Sequence, residues 1–569
     1  MKLKIYPSIG IARIGESDDF YYGPETYCGL PIEEDGTEFS TFRDARGKLR
    51  KQAARFQVYW TDDETSDALN WPVVPGRDGV SHIEWVVWLA NKKAVWYTFE
   101  QLKGEGGYAA DHERRNASLP EAQIIIDPGP QSVVARATAA VAEAEFSQGK
   151  GRPGYAQSFP PADLTPYAIT SLGKIRTDAT GLLTVLGGSG CSGAISGHPV
   201  SHYANNPGWF DDIADGPVTA VVVMANGERR EVDASAWVMV GPPSYAPQIP
   251  NTVTLYDTLY DLFVRKFNYA PDIFANGAFN QAYKPNFARD IEPLLRRPEI
   301  NDWVIGNLGL HKSETFNWTA FGNPDPAHNK ARQHLFVSLR TATHDDTIST
   351  MPKLAGDNPF SLSKPMPLLT LSPTTMFLLA QWGQGLFTTE TLPAANSNGH
   401  GAARDLGILS NCVGGAFCPG IEISWNCRDA RVYSAPFRVR HKWRADAMLG
   451  GAVHLSRDED MARGMEPGDL TKRMAQPWQA DFLECTQQDA AGLDAFWWPA
   501  QRPITVMTEQ DTKAWTREVI NGVNNGEIKH ENYLRMIMNW SALGFIRQQE
   551  DGRYLEVERN FITDGVPSV

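Results

Sequence analysis

Apolar positions in this chain of 569 residues recur mostly with period two. KLKIYPSIGIARIG at the start alternates and then bends at glycine, and FQVYW (56–60) alternates as well. IEWVVWLANKKAVWYTF (83–99) is dense in β-branched and aromatic residues. Such runs predict strands. GLLTVLGG (181–188), VTAVVVMANGERREV (218–232) and WVMVGPP (237–243) continue the pattern, and the Asn-Gly inside the second predicts a hairpin. Helical spacing replaces alternation in TVTLYDTLYDLFVRKF (252–267) and in ARDIEPLLRRPEINDWVIGNLG (288–309), where a proline predicts a break. NGEIKHENYLRMIMNWSALGFI (525–546) predicts a last helix that stops near its LGF. The Ala-rich SVVARATAAVAEAEFSQ (132–148), set between DPGP and GKGRPGY, also predicts a helix. ANSNGHGAAR (395–404) reads as the most loop-like stretch, and no internal repeat stands out. The elements add up to an α+β fold, an antiparallel β-rich core with peripheral helices. A β-rich N-terminal part (1–260) and a C-terminal part (261–569) are expected as one large intertwined unit.

Composition narrows the function. Fifty-three basic against 67 acidic residues leave a net charge of −14, which argues against a phosphate backbone as the main partner. With 42% hydrophobic and 21% charged residues the chain is globular and not disordered. MKLKIYPSIGIARIG lacks an uninterrupted apolar h-region, and the most apolar stretch, MPLLTLSPTTMFLLAQW (366–382), carries two prolines and four hydroxyl residues. A soluble protein without secretory signal or membrane span is expected, its compartment open between cytoplasm and a non-standard export route. The six cysteines (28, 191, 412, 418, 427, 485) include no C-x-x-C pair, so neither a disulfide scaffold nor a zinc ribbon is indicated.

Four motifs carry possible chemistry. Gly188-Ser-Gly-Cys-Ser-Gly193 matches G-x-G-x-x-G after a strand, yet the following AISGHPVSHYANNPGW holds two prolines and no helical period. A dinucleotide site needs a helix there, so a tight glycine loop is the better reading. His198 and His202 are spaced for one face of a helix, but Pro199 follows the first and no third ligand stands nearby, so no metal is expected. Asp211, Asp212 and Asp215 cluster in GWFDDIADGP (208–217), where calcium is conceivable and a turn with Asx caps is the stronger reading. Asp481 precedes Cys485 by four residues. A carboxylate beside a thiol raises the thiol pKa, which suits a nucleophilic cysteine poorly, so spacing alone makes Cys485 a small buried hydrophobe.

Several long blocks, taken together, resemble the quinoprotein amino-acid oxidases, the family that includes lysine ε-oxidase and glycine oxidase. They are IYPSIGIARIG (5–15), FRD…KQAARFQVY (42–59), LGKIRTDATGLLTVLGG (172–188), NNPGWFDDIADGPV (205–218) and WVMVGPPSYAP…VTLYD (237–257). GGAFCPGIEISW (414–425), PWQADFLEC (477–485), WWPAQRP (497–503) and NWSALGF (539–545) complete the series in the family's order.

The resemblance implies a cofactor made from the protein itself, cysteine tryptophylquinone (CTQ). Cys485 resembles its cysteine and Trp540 its tryptophan, so the C-terminal part is expected to carry the quinone. Asp481 resembles the family's active-site aspartate, needed to build the cofactor and a candidate base in turnover. The sulfur is then consumed as a thioether, which removes the objection to its pKa. The implied reaction is oxidative deamination of a primary amine through a Schiff base on the quinone, with O2 reduced to H2O2. Phe210 falls where the family places an aromatic beside the quinone, tyrosine in the lysine oxidase and phenylalanine in the glycine oxidase, which sets a glycine-like substrate slightly ahead of lysine. Cys418 resembles a second cysteine near the site. Implied partners are the amino-acid substrate, O2, a flavoprotein that matures the cofactor, and further copies of the chain in a tetramer; nucleic acid and membrane are not among them. The rival is a member that keeps the fold, never matures the quinone, and acts as a binding or structural protein.

Overall fold

The computed structural model describes residues 1–62, 71–99, 111–138, 140–306, 316–340, 351–356, 368–391, 401–415, 426–442, 453–484, 487–490, 493–519 and 529–560. Among the described residues, the first 241 positions supply sixteen strands. They are β1 (Lys2–Tyr6), β2 (Ile9–Arg13), β3 (Phe20–Tyr22), β4 (Lys51–Thr61), β5 (Trp71–Pro72), β6 (Val80–Val87), β7 (Gln131–Arg136) and β8 (Ala142–Ser147). There follow β9 (Thr165–Pro166), β10 (Ser171–Thr177), β11 (Leu183–Leu186), β12 (Ser192–Ala194), β13 (Trp209–Asp211), β14 (Ala214–Met224), β15 (Arg229–Glu231) and β16 (Ala236–Gly241).

Thirteen of them form one sheet along the path β7-β6-β14-β16-β2-β4-β11-β10-β8, with β1, β3 and β5 also on β4 and β15 on β14. The remaining three pair as β13-β12-β9. Pairing is antiparallel except β16 with β2 and β3 with β4, so the expected antiparallel α+β core is present. The hairpin β14–β15 turns at Gly227, whose φ of +86° is one that glycine adopts without steric cost.

Helix Leu255–Lys266 starts at a capping box in which Asp257 N–H donates to Thr254 Oγ1 (3.2 Å) and Thr254 N–H to Asp257 Oδ2 (2.7 Å). Among the described residues no helix is long and apolar enough to cross a membrane.

Three expectations need correction. Residues 132–148 are not a helix; they hold β7 and β8. In β7, Val133 and Ala135 point into the core and alternate with exposed Ser132 and Arg136. In β8, Glu143 and Glu145 stand opposite Arg176 and Lys174 of β10, and Glu143 pairs with Arg176 at 3.3 Å. Alanine's helix propensity is a fraction of a kcal/mol per residue and yields to cross-strand pairing and burial. The second correction is Pro298, which does not break helix Glu292–Ile305. Arg297 pairs with Asp257 and donates to the Thr252 carbonyl, and Asn301 donates to the Pro250 carbonyl at 2.7 Å, so anchors on both sides hold the helix across the missing N–H. Third, the loop-like stretch 395–404 ends in helix Gly401–Leu409; residues 395–400 lie outside the described set.

One apolar core runs from the sheet into the C-terminal elements. It joins Trp85, Trp88, Trp209 and Phe210 to Trp478, Phe482, Trp515 and Trp540.

Candidate active site

The amphipathic helix His530–Asn539 buries Tyr533, Leu534, Met536 and Ile537 and runs into a 3-10 turn, Trp540–Ala542. The turn is held from the N-terminal half of the chain. Tyr245 OH donates to the Trp540 carbonyl at 2.5 Å. Arg43 donates to the carbonyls of Ser541 (2.7 Å) and Leu543 (3.1 Å). Phe42 stacks on Phe545 with ring centroids 3.9 Å apart. Backbone carbonyls freed at the helix end thus find buried donors, and the Trp540 side chain is left 3% exposed.

The glycine loop forms one wall for that ring. β11 leads through 187–191 into β12 and not into a helix, so the tight-loop reading is right and the dinucleotide reading fails. Gly190 has φ +79°, and a Cβ there would overlap Cζ2 of Trp540 and lie 2.8 Å from Cε2 and Cη2. Only a residue without a side chain lets the six-membered ring close on the backbone. Lys51, itself buried, donates to the carbonyls of Gly187 and Gly188 at 2.9 Å each and approaches Ser189 Oγ at 3.4 Å. Burial pushes its ammonium below the usual lysine range. Gln479 ties the loop to the next element, accepting from Ser192 Oγ (2.7 Å) and donating to the Gly190 carbonyl (3.3 Å).

That next element is helix Trp478–Glu484, which carries Asp481 at 1% exposure. Its ends meet buried side chains. Trp478 N–H donates to Asp211 Oδ2 at 3.0 Å, a carboxylate at a helix N-terminus, and Asp211 also pairs with buried Lys93. At the other end Arg502, from WWPAQRP, donates to the carbonyls of Phe482 and Leu483. The Trp478 ring meets Trp540 edge-on, centroids 5.6 Å apart at 71°. Glu484 accepts from Tyr533 OH, which links this helix to the one leading to Trp540, and burial holds the Glu484 carboxyl above its usual range. The structure therefore brings Asp481 and Trp540 onto two adjoining helical elements. Cys485, next after Glu484, and Cys418 both lie outside the described residues.

The three aspartates of GWFDDIADGP share no cation site. Asp211 serves Lys93 and the Trp478 N–H, while Asp215 accepts from Thr471 N–H (2.8 Å), Thr471 Oγ1 (2.6 Å), Leu470 N–H (3.2 Å) and Trp237 Nε1 (3.0 Å). Asp211 Oδ1 accepts from Asn91 Nδ2 at 3.1 Å and weakly from Ile213 N–H at 3.4 Å, the second in the manner of the expected Asx cap. Among the described residues no group of three or more His, Cys, Asp or Glu is placed to hold a metal. His202 Nδ1 accepts the N–H groups of Ala204 and Asn205. Phe210 is fully buried on β13, opposite Gly193 of β12.

Asp212 turns instead into the glycine loop. Its Oδ2 accepts from the N–H of Gly190 (2.9 Å) and of Cys191 (3.1 Å). A Cβ on Gly188 would overlap this carboxylate and come 2.8 Å from the Asp212 Cβ, so glycine at 188 is what admits it. Oδ1 is buried with no hydrogen-bond partner among the described residues. Burial pushes the Asp212 pKa up to about 7, the negative Asp211 adding to it and the two backbone N–H groups and Lys51 opposing. Burial, with the Asp212 charge behind it, also pushes the Cys191 thiol up to about 12. The aspartate run and the glycine loop are separate motifs in the sequence, and nothing in either says that one fills the other.

Comparison with known proteins agrees with this arrangement. Residues 6–240 match the family described as L-Lysine epsilon oxidase N-terminal, and residues 352–507 match the L-lysine epsilon oxidase C-terminal domain. L-lysine 6-oxidase of Marinomonas mediterranea is 31% identical over 684 aligned positions, covering 98% of this chain and 90% of that protein. A crystal structure of the ε-lysine oxidase from the same organism superposes with a TM-score of 0.83 at 28% identity, over 98% of this chain and 95% of that one. Another, of the Schiff base intermediate of the L-Lys ε-oxidase with L-Lys, gives 0.81 at 29% identity over the same shares. The chain belongs to the L-lysine ε-oxidase family of amino-acid oxidases.

Proposed function

We propose that this chain oxidatively deaminates a primary amine of an amino acid, using a cysteine tryptophylquinone formed from Cys485 and Trp540, with O2 reduced to H2O2. The observation that carries the reading is the seat of Trp540: a buried indole whose six-membered edge lies on the bare backbone of Gly190, beside the helix that carries Asp481. An ordinary core tryptophan needs no left-handed glycine against its ring, nor a buried carboxylate with an unused oxygen behind that glycine. The reading is supported by glycine at 190, which leaves beside the six-membered ring the room that a Cβ would take. The quinone would supply an electrophilic carbonyl for the substrate amine and a sink for two electrons.

The remaining work falls to the chain's own residues. Asp481 takes a proton from the substrate carbon and, earlier, assists the oxidation of Trp540. Trp478 and Gly190 fix the ring from its edge and its side, so that the reacting carbon needs no reorganisation. The low exposure of Trp540 keeps bulk water from the ring. Phe210, fully buried and apolar, offers no hydrogen bond to a substrate, which favours a glycine-like substrate over lysine. A flavoprotein partner for maturation and a tetrameric assembly are part of the same proposal.

Peptide mapping of chain co-expressed with that partner tests the reading. Expected is a cross-linked pair holding Cys485 and Trp540 with two added oxygens, a visible absorption band bleached by amino acids, and peroxide release. Asp481→Ala should fold and lack most of the cross-link. Separate unmodified peptides from the co-expressed wild type would refute the proposal and leave a binding or structural role.

A further inference from the structure

The aspartate buried in the glycine loop has no place in the mechanism above, and its surroundings are unusual for a structural residue. A buried carboxylate ordinarily uses both oxygens. Here Oδ2 gathers two consecutive backbone N–H groups while Oδ1 has no partner among the described residues. The same loop carries Gly190, whose Cα faces Cζ2 of Trp540, so the carboxylate and the indole grip the two sides of one residue.

Resting on the quinoprotein reading, we infer that Asp212 is a positioning residue of the site, whose carboxyl clamps the 188–191 loop against the Trp540 ring, tightly when ionised and loosely when protonated. A charged acceptor makes hydrogen bonds roughly twice as strong as a neutral one. Loss of the charge therefore weakens both N–H contacts at once and loosens the wall against which the ring is held. The charged and titratable groups around it are Asp211 and Lys93 on one side, and Lys51 and Cys191 on the other. Lys93 is engaged by Asp211 and the Lys51 ammonium by loop carbonyls, so neither forms a direct ion pair with Asp212. The Cys191 thiol stays neutral near pH 7. With the Asp212 pKa about 7, both forms of the clamp are populated near neutrality.

The test is hydrogen exchange by mass spectrometry on the full-length matured enzyme, reading a peptide that spans 187–193 and correcting for the intrinsic pH dependence of exchange. In wild type, exchange of this peptide should slow about three-fold or more between pH 6 and 8, following the doubling of hydrogen-bond strength. Asp212→Asn keeps an acceptor oxygen but cannot titrate, and should show no pH dependence. The visible quinone band should shift with pH over the same range in wild type and stay constant in Asp212→Asn, a response that mere packing would not produce. If Asp212→Asn does not fold, Asp212→Glu serves, with the pH response retained and protection reduced. A flat wild-type exchange profile, or the same pH response in Asp212→Asn, overturns the clamp. Failure of the quinone reading is separately visible as an absent Cys485–Trp540 cross-link, which leaves the exchange result standing.

Discussion

Replacing Gly190 by alanine isolates the contact that the whole site is built around. Two costs are expected. Gly190 has φ +79°, a left-handed conformation that costs an alanine about 1–2 kcal/mol. The new Cβ would also overlap Cζ2 of a Trp540 ring that is 3% exposed, and overpacking of a buried site adds about 1–3 kcal/mol. Gly197 separates the two terms. Its φ is +84° and a Cβ there meets nothing within 4 Å, so Gly197→Ala bears the backbone cost alone. Denaturant unfolding of both variants should place Gly190→Ala about 1–3 kcal/mol below Gly197→Ala at unchanged m-value. To relieve the overlap the ring must move by about 1 Å, and a misplacement of that size costs about 100-fold in rate. Peptide mapping should accordingly show reduced Cys485–Trp540 cross-link in Gly190→Ala and normal cross-link in Gly197→Ala. Equal stabilities and equal cross-link yields in the two variants would falsify the claim that this glycine seats the ring.

Asp212 has a stability signature of its own. Its folded pKa of about 7 lies above the ordinary 3.8, so the folded state holds the proton more tightly than the unfolded chain. Its contribution is fully present below about pH 4 and is lost as pH rises through 7, a difference of about 4 kcal/mol at most. Asp212→Asn removes the titration, so its melting temperature relative to wild type should climb between pH 5 and pH 8; a constant offset would count against the assignment. The clamp is then a place where the fold accepts a stability cost at the pH where the site is held most firmly. Tyr245→Phe should cost about 1–3 kcal/mol, because the buried Trp540 carbonyl then keeps only the long contact from the Leu543 N–H (3.4 Å); a change below about 0.5 kcal/mol would mean that other contacts hold the turn.

Much of the fold was legible in one dimension. Period-two runs located β4, β6, β14 and β16, the Asn-Gly located the β14–β15 hairpin, and 3.6-residue spacing located helix Leu255–Lys266. Local signals sufficed there because backbone preference and burial agree. At 132–148 they conflict: alanine favours a helix, and neighbours distant in sequence, Arg176 and Lys174, make the segment a strand. Pro298 is a similar case, held in its helix by Asp257 and Pro250 outside it.

The site divides along the same line. Trp540, Cys485 and Asp481 could be singled out from sequence as candidates because whole blocks around them resemble a family, and the glycine loop could be told from a nucleotide loop by the prolines after it. Only the tertiary structure decides that Gly190 meets Trp540, that Lys51 and Gln479 hold the loop, and that three aspartates within five residues take three unrelated tasks. Asp211, Asp212 and Asp215 are alike in sequence. One is tied to a lysine, an asparagine and a helix end, one to the Leu470–Thr471 backbone and the Trp237 indole, and one to two amides with an oxygen left over. Burial and partners set the charge and the strength of each carboxylate, and both arise from residues far along the chain, so the local sequence cannot contain them.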